Sequence, residues 1–210
     1  MSEIHFADPR GHADFATLVG RARTAHPQGA IRFQAQGRLL VLTVAVIEGS
    51  GLLGEGTVLG MRIMPVVEGP GLDVTVSLAS VTDRLARAGA DASAFPVPPT
   101  TVAPPWAGLT PPREGWELVG TLPGEEVTGI ALRGIEAVAA GAGPTAGAHA
   151  VDALRRRVWG GSSDTRPPLV SGLAFAAHVL GFLRSGQPAT LAAHGRWTRL
   201  STVHGHALVR

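Results

Sequence analysis

Ile31-Arg-Phe-Gln-Ala-Gln36-Gly37-Arg38-Leu39-Leu-Val-Leu-Thr-Val-Ala-Val-Ile47 is the stretch that decides the fold. Ile31, Phe33 and Ala35 alternate with Arg32, Gln34 and Gln36, the two-residue period of a half-buried strand. Leu39 to Ile47 is almost continuously apolar, as expected of a central strand buried on both faces. Gly37-Arg38 between them reads as a tight turn.

Outward from this hairpin, a third strand is expected from Thr57 to Val67. A turn at Pro70-Gly71 precedes a fourth, in which Val74, Val76 and Leu78 alternate with Asp73, Thr75 and Ser77. Upstream, Asp8-Pro9 pairs an N-cap residue with proline at the first helical position. Phe15, Leu18, Val19 and Ala22 then keep helical spacing to Pro27, which predicts a helix over 9–25. Downstream, Ser80-Val-Thr-Asp83 resembles an N-cap with acid at the third position and predicts a short helix through Arg87. The N-terminal half is thus expected as helix, four-stranded antiparallel meander, helix.

Seven of the sixteen prolines lie between Pro96 and Pro112, so this stretch cannot supply a regular hydrogen-bond ladder. It is expected as a strap over residues 95–113 on a single domain spanning 1–210, because Phe95 and Trp106 are large apolar anchors. The alternative is a linker between subdomains 1–94 and 114–210. Beyond it, Trp116 to Leu122 reads as a fifth strand. Helices are expected after Pro123 (Val127, Ile130, Ala131, Gly134, Ile135, Val138), after Pro144 (Val151, Leu154, Val158) and over Leu169 to Arg184, the last closed by Gly186 and Pro188. Arg196 to Thr202 and His206 to Val209 flank Val203-His204-Gly205 as a terminal hairpin. The fold class is therefore α+β, with a mostly antiparallel sheet and helices mainly on one face.

The 210 residues include no lysine, asparagine, tyrosine or cysteine, while Ala, Gly, Pro, Arg and Val abound. Codon bias in a GC-rich genome accounts for this alphabet. The high isoelectric point follows from arginine with no Tyr or Cys to titrate, for the formal charge is only +2. Without Cys there is no disulfide, thiol catalysis, zinc finger or iron–sulfur cluster. The N-terminus carries early acid and no apolar core, which predicts no secretory signal. The apolar run from Leu169 to Leu183 falls short of the roughly 20 residues a spanning helix needs. A cytoplasmic protein is expected, with no membrane partner.

Gly49-Ser-Gly-Leu-Leu-Gly54 matches G-x-G-x-x-G after an apolar strand. The residues that follow, Glu55 to Gly60, make a poor helix, so a strand-to-strand loop is expected instead of a dinucleotide site. His194, His204 and His206 cluster near the terminal hairpin as metal-ligand candidates, though a turn at Gly205 would splay the last two; no metal or cofactor is expected. His178 is the one ionisable group in the apolar helix Gly172 to Leu183, and is either a satisfied core histidine or a general base lining a pocket. Arg155-Arg-Arg157 before Val158-Trp159 is the densest basic run. It lies where cations complement a helix C-terminus, so a nucleic-acid partner is not favoured. Trp106 and Trp116 bracket Pro111-Pro-Arg113, and large aromatics with Arg113 are typical interface anchors, or else pin the strap to the sheet.

Ala103-Pro-Pro-Trp106-Ala-Gly108, Pro111-Pro-Arg-Glu-Gly-Trp116-Glu117, Arg157-Val-Trp-Gly160, Gly195-Arg-Trp-Thr-Arg-Leu200 and Gly205-His-Ala-Leu-Val-Arg210 carry a resemblance over most of the chain. In these motifs it resembles an uncharacterised protein family of high-GC actinobacteria. The resemblance implies no activity and agrees with a cytoplasmic setting.

No coherent catalytic constellation can be assembled, so the chain is expected to be a non-catalytic binding or assembly protein, a homodimer whose apolar strands and Trp residues need covering. Binding candidates are Trp106, Arg113, Trp116 and His178. The alternatives are a small-ligand binder or enzyme with a pocket near His178 or the C-terminal histidines, and then a nucleic-acid-binding protein.

Overall fold

In the computed structural model, which describes residues 2–49, 54–67, 71–89, 92–143 and 147–210, Asp8 caps the first helix. Its carboxylate accepts the Gly11 amide at 2.8 Å, and α1 runs Pro9–Ala25, burying Phe15, Leu18, Val19 and Ala22 as their spacing requires. The chain divides into two units, Met1–Val46 with Gly60–Thr110 and Ile47–Leu59 with Pro111–Arg210.

In the first unit, β2 (Ala30–Gln36) pairs antiparallel with β3 (Leu39–Ile47), Phe33 opposite Leu42. β4 (Val58–Pro65) lies beside β3, and β5 (Leu72–Ser77) lies beside β2, giving the order β5-β2-β3-β4. The fourth expected strand thus returns to lie beside the first, so the order is a Greek key and not the expected meander, because β5 pairs with β2 and not with β4. A long-range ion pair supports it. Arg32 Nε and Nη2 donate to the two Asp73 carboxylate oxygens at 2.7 and 2.8 Å, across 41 residues of sequence.

Helix α2 (Leu78–Ala88) starts one turn before its expected cap. Ser77, not Ser80, is the N-cap and accepts the Ser80 amide at 3.1 Å. The earlier start turns Leu78 and Val81 both into the core. β1 (Glu3–His5) pairs with β6 (Ala94–Pro96), Ile4 opposite Phe95, a ladder too short for a period to reveal. Phe6, Phe15, Phe33 and Phe95 form the aromatic centre of this unit, with Phe15 and Phe95 centroids 4.9 Å apart. The proline-rich stretch is fastened to the same unit. Val102 N donates to Thr75 O at 2.9 Å, Arg32 Nη1 donates to Ala107 O at 3.0 Å, and Trp106 is buried in a 3-10 turn, Pro105–Gly108.

In the second unit β7 (Glu117–Pro123) leads into α3 (Gly124–Gly141), α4 (Ala148–Gly160) and α5 (Ser171–Val179). The chain then forms β8 (Pro188–His194), β9 (Trp197–Thr202) and β10 (Gly205–Val209), in the order β10-β9-β8-β7 with antiparallel neighbours. α3 packs on β7 and β8, and α5 on β9 and β10. Leu122, Ala189, Leu191, Leu200 and Ala207 are buried on that helix-covered face.

Three expectations change here. β8 was not foreseen, because Ala-rich Pro188–His194 has weak strand propensity and is held by pairing on both sides. The apolar helix ends at Val179 and does not reach Arg184. Gly181, at φ +71°, donates to His178 O, and Phe182 N donates to Ala177 O at 2.8 Å, the paired bonds of a Schellman motif. Gly205 belongs to β10, opposite Thr202, and Val203-His204 alone make the turn.

The fold class is the expected α+β, with a large antiparallel content. Among the described residues no helix is long and apolar enough to cross a membrane. Residues 50–53 of the glycine pattern, Pro70 of the expected turn and Pro144 lie outside the described residues.

Candidate functional site

The face of the β10-β9-β8-β7 strands opposite α3 and α5 carries His194, Trp197, Arg199, Ser201 and His206. Cross-strand partners share a face, so register identifies its rows. Leu118, Ala192, Arg199 and Leu208 form one row; Thr121, Thr190, Ser201 and His206 form another; His194 stands opposite Trp197. Ala192, Trp197 and Leu208 are buried, whereas His194 and Leu118 are exposed.

A β-bulge shapes the rim of this face. Leu118 is opposite Ala192 but Gly120 is opposite Leu191, so Val119 is an extra residue in β7. The insertion breaks the alternation that would turn one of two neighbouring residues inward. Leu118 and Val119 are consequently 72% and 48% exposed. β7 has β8 as its one strand neighbour among the described residues.

Beside them, the loop before β7 is closed by its own side chains. Trp116 Nε1 donates to Pro112 O at 3.0 Å. His194 Nδ1 donates to Gly115 O at 2.8 Å, which sets the Nδ1–H tautomer and brings the imidazole edge-on to Trp116, centroids 6.0 Å apart. The Arg199 guanidinium covers the indole with its carbon 4.2 Å from the ring centroid. Arg199 Nε has no hydrogen-bond partner among the described residues, and burial holds the guanidinium below its ordinary pKa. His206 Nδ1 shares a 2.9 Å hydrogen bond with Ser201 Oγ. Burial first, and the Arg199 cation second, push the His206 pKa down, which favours its neutral form.

Trp116, His194 and His206 are therefore brought to one face. Trp106 is not among them; it is 3% exposed inside the first unit, an anchor of the proline-rich stretch. Arg113 is exposed in the loop, and Arg199 is the cation on Trp116. Sequence reasoning missed Arg199, although Trp197, Arg199 and Ser201 alternate within the expected strand. His178 lies half-buried in the last turn of α5, so the sheet stands between it and His206. His204 sits in the terminal turn, its amide donating to Thr202 Oγ1 at 3.2 Å. The His194 and His206 rows are four β9 residues apart, roughly 13 Å along the strand. They do not converge on a common point, and among the described residues no three His, Cys, Asp or Glu side chains group as metal ligands.

The geometry pairs Trp116 with Arg199 as an aromatic–cation contact, and Trp116 is close in sequence to two exposed aliphatic residues, Leu118 and Val119. Arg155–Arg157 lie near the end of α4, where Trp159 is buried and stacked on Phe175 with centroids 4.2 Å apart.

Residues 1–108 match a family described as a domain of unknown function (DUF8010), and residues 111–210 match a second domain of unknown function (DUF8185). No curated protein matches the chain. The first match covers just over half of the 210 residues, and the chain belongs to the DUF8010 family, with a second half similar to DUF8185.

Proposed function

We propose that this is a non-catalytic cytoplasmic binding and assembly protein that works as a homodimer, joined through the open rim of its C-terminal sheet. The observation that carries this reading is the exposure of Leu118 and Val119 beside Trp116 under Arg199. Trp and Arg dominate interface energetics when apolar neighbours exclude water around them. The rim also carries both signs of charge, with exposed Glu114 and Glu117 close in sequence to Trp116 and exposed Arg196 in the β8–β9 turn. A two-fold axis presents the same patch twice, so acid and base on one patch can meet their opposites on the other.

Sedimentation velocity of the full chain tests this. A dimer is expected, and Leu118→Arg with Val119→Arg should return a monomer whose unfolding midpoint is unchanged. A strict monomer at the highest soluble concentration, or a dimer indifferent to both substitutions, overturns it.

A further inference from the structure

A cleft of about 440 Å³ opens between α3 and the loop that joins α4 to α5, within the size range of small-molecule sites. Its floor is the buried Ile130, and its walls carry Glu126, Arg133, Ser163, Asp164 and Thr165. Nothing in the family descriptions assigns it a ligand.

The hydrogen-bond directions in the loop decide what the cleft can accept. Thr165 Oγ1 donates to Pro167 O at 2.8 Å, so the 2.6 Å bond between the two hydroxyls uses the Ser163 hydrogen. Ser163 Oγ accepts the Leu169 amide at 3.0 Å. Both hydroxyl hydrogens are spent inside the loop, and what remains for a ligand is oxygen lone pairs. The neighbouring acids divide the same way. Glu125 is tied to the Gly186 amide at 2.6 Å and to Ser185 Oγ, whereas among the described residues Glu126, Asp164 and Arg133 are in no ion pair.

The walls therefore present two carboxylates, two acceptor hydroxyls and one guanidinium. An anion such as a phosphate meets two like charges, and a divalent cation meets Arg133. A ligand that answers group for group carries two cationic nitrogens and one carboxylate. We propose that this cleft binds a basic amino acid, its carboxylate on Arg133 and its two cationic nitrogens on Glu126 and Asp164, with Ser163 and Thr165 accepting further N–H bonds. Arg133 reads the carboxylate as a planar fork, which separates an amino acid from the corresponding amine.

The site lies on the helix side of the sheet and does not depend on the proposed dimer rim. Calorimetric titration of the full chain with L-arginine and L-lysine should give saturable one-to-one binding, with agmatine (arginine without its carboxylate) about tenfold weaker. Glu126→Gln and Asp164→Asn should each weaken L-arginine about tenfold. Arg133→Gln should abolish the preference for L-arginine over agmatine. All three side chains are exposed, so unchanged unfolding midpoints should accompany these losses. Failure of both amino acids to saturate, or full affinity in the three variants, overturns the assignment. Equal binding of agmatine and arginine by the native chain overturns the role of Arg133.

Discussion

Arg199 lies over the face of the Trp116 indole, its guanidinium carbon 4.2 Å from the ring centroid. Among the described residues Arg199 is in no ion pair with a carboxylate, so burying this cation costs desolvation that the negative π-face offsets in part. In a double-mutant cycle of Trp116→Leu and Arg199→Met, urea unfolding should give a coupling energy of about 1 kcal/mol. Strict additivity would show that the stacked geometry adds nothing beyond packing.

His12 is buried on α1 with Nε2 unpartnered among the described residues, and burial holds its pKa below the ordinary histidine value. The folded state keeps it neutral while the unfolded chain gains a proton below about pH 6.5. Stability should therefore be full above that pH and decline as pH falls toward the depressed folded value. His12→Leu should flatten this limb only in part, because the His206 pKa is depressed in the same direction. Guanidinium midpoints measured between neutral and mildly acid pH check this.

The Arg32–Asp73 pair has the opposite kind of titrating partner but the same slope. Hydrogen bonding from Arg32 holds the Asp73 carboxyl below the usual carboxylate range. Its contribution is present above the unfolded pKa, near 3.9, and is lost as pH falls through the folded one. Asp73 is half exposed, so solvent screening keeps the effect of Asp73→Asn to about 1 kcal/mol. The loss should vanish at a pH where native Asp73 is itself protonated.

Two glycines of the second unit should resist alanine for different reasons. At Gly181 a side chain would be forced into φ +71°, at a cost of about 1–2 kcal/mol. At Gly134 a Cβ would enter the Trp159 ring, and overpacking there should cost about 1–3 kcal/mol. Thermal unfolding separates the two cases when Trp159→Leu is added, since only Gly134→Ala should be rescued.

Much of the architecture was legible because it is written in local period and punctuation. Asp8-Pro9 and the Phe15–Ala22 spacing define α1 to the residue, and Leu39–Ile47 is the strand its composition announces. Elements without local insistence were invisible. β8 is alanine-rich, β1 and β6 have three residues each, and a single glycine at 181 stops an apolar run that shows no break in hydrophobicity.

For the site, sequence marked Trp116, His194 and His206 by residue type but gave no means of choosing Arg199 over Arg113 as the cation on the indole. The chain by itself determined which segments extend, which coil and which side chains are chemically unusual, since those follow from spacing and backbone preference. Tertiary pairing alone decided that a bulge turns Leu118 and Val119 both outward, that His178 and His206 fall on opposite sides of one sheet, and that Glu126, Arg133 and Asp164 border one cleft. Strand register and helix docking are set by contacts between residues tens of positions apart, and no local pattern encodes those.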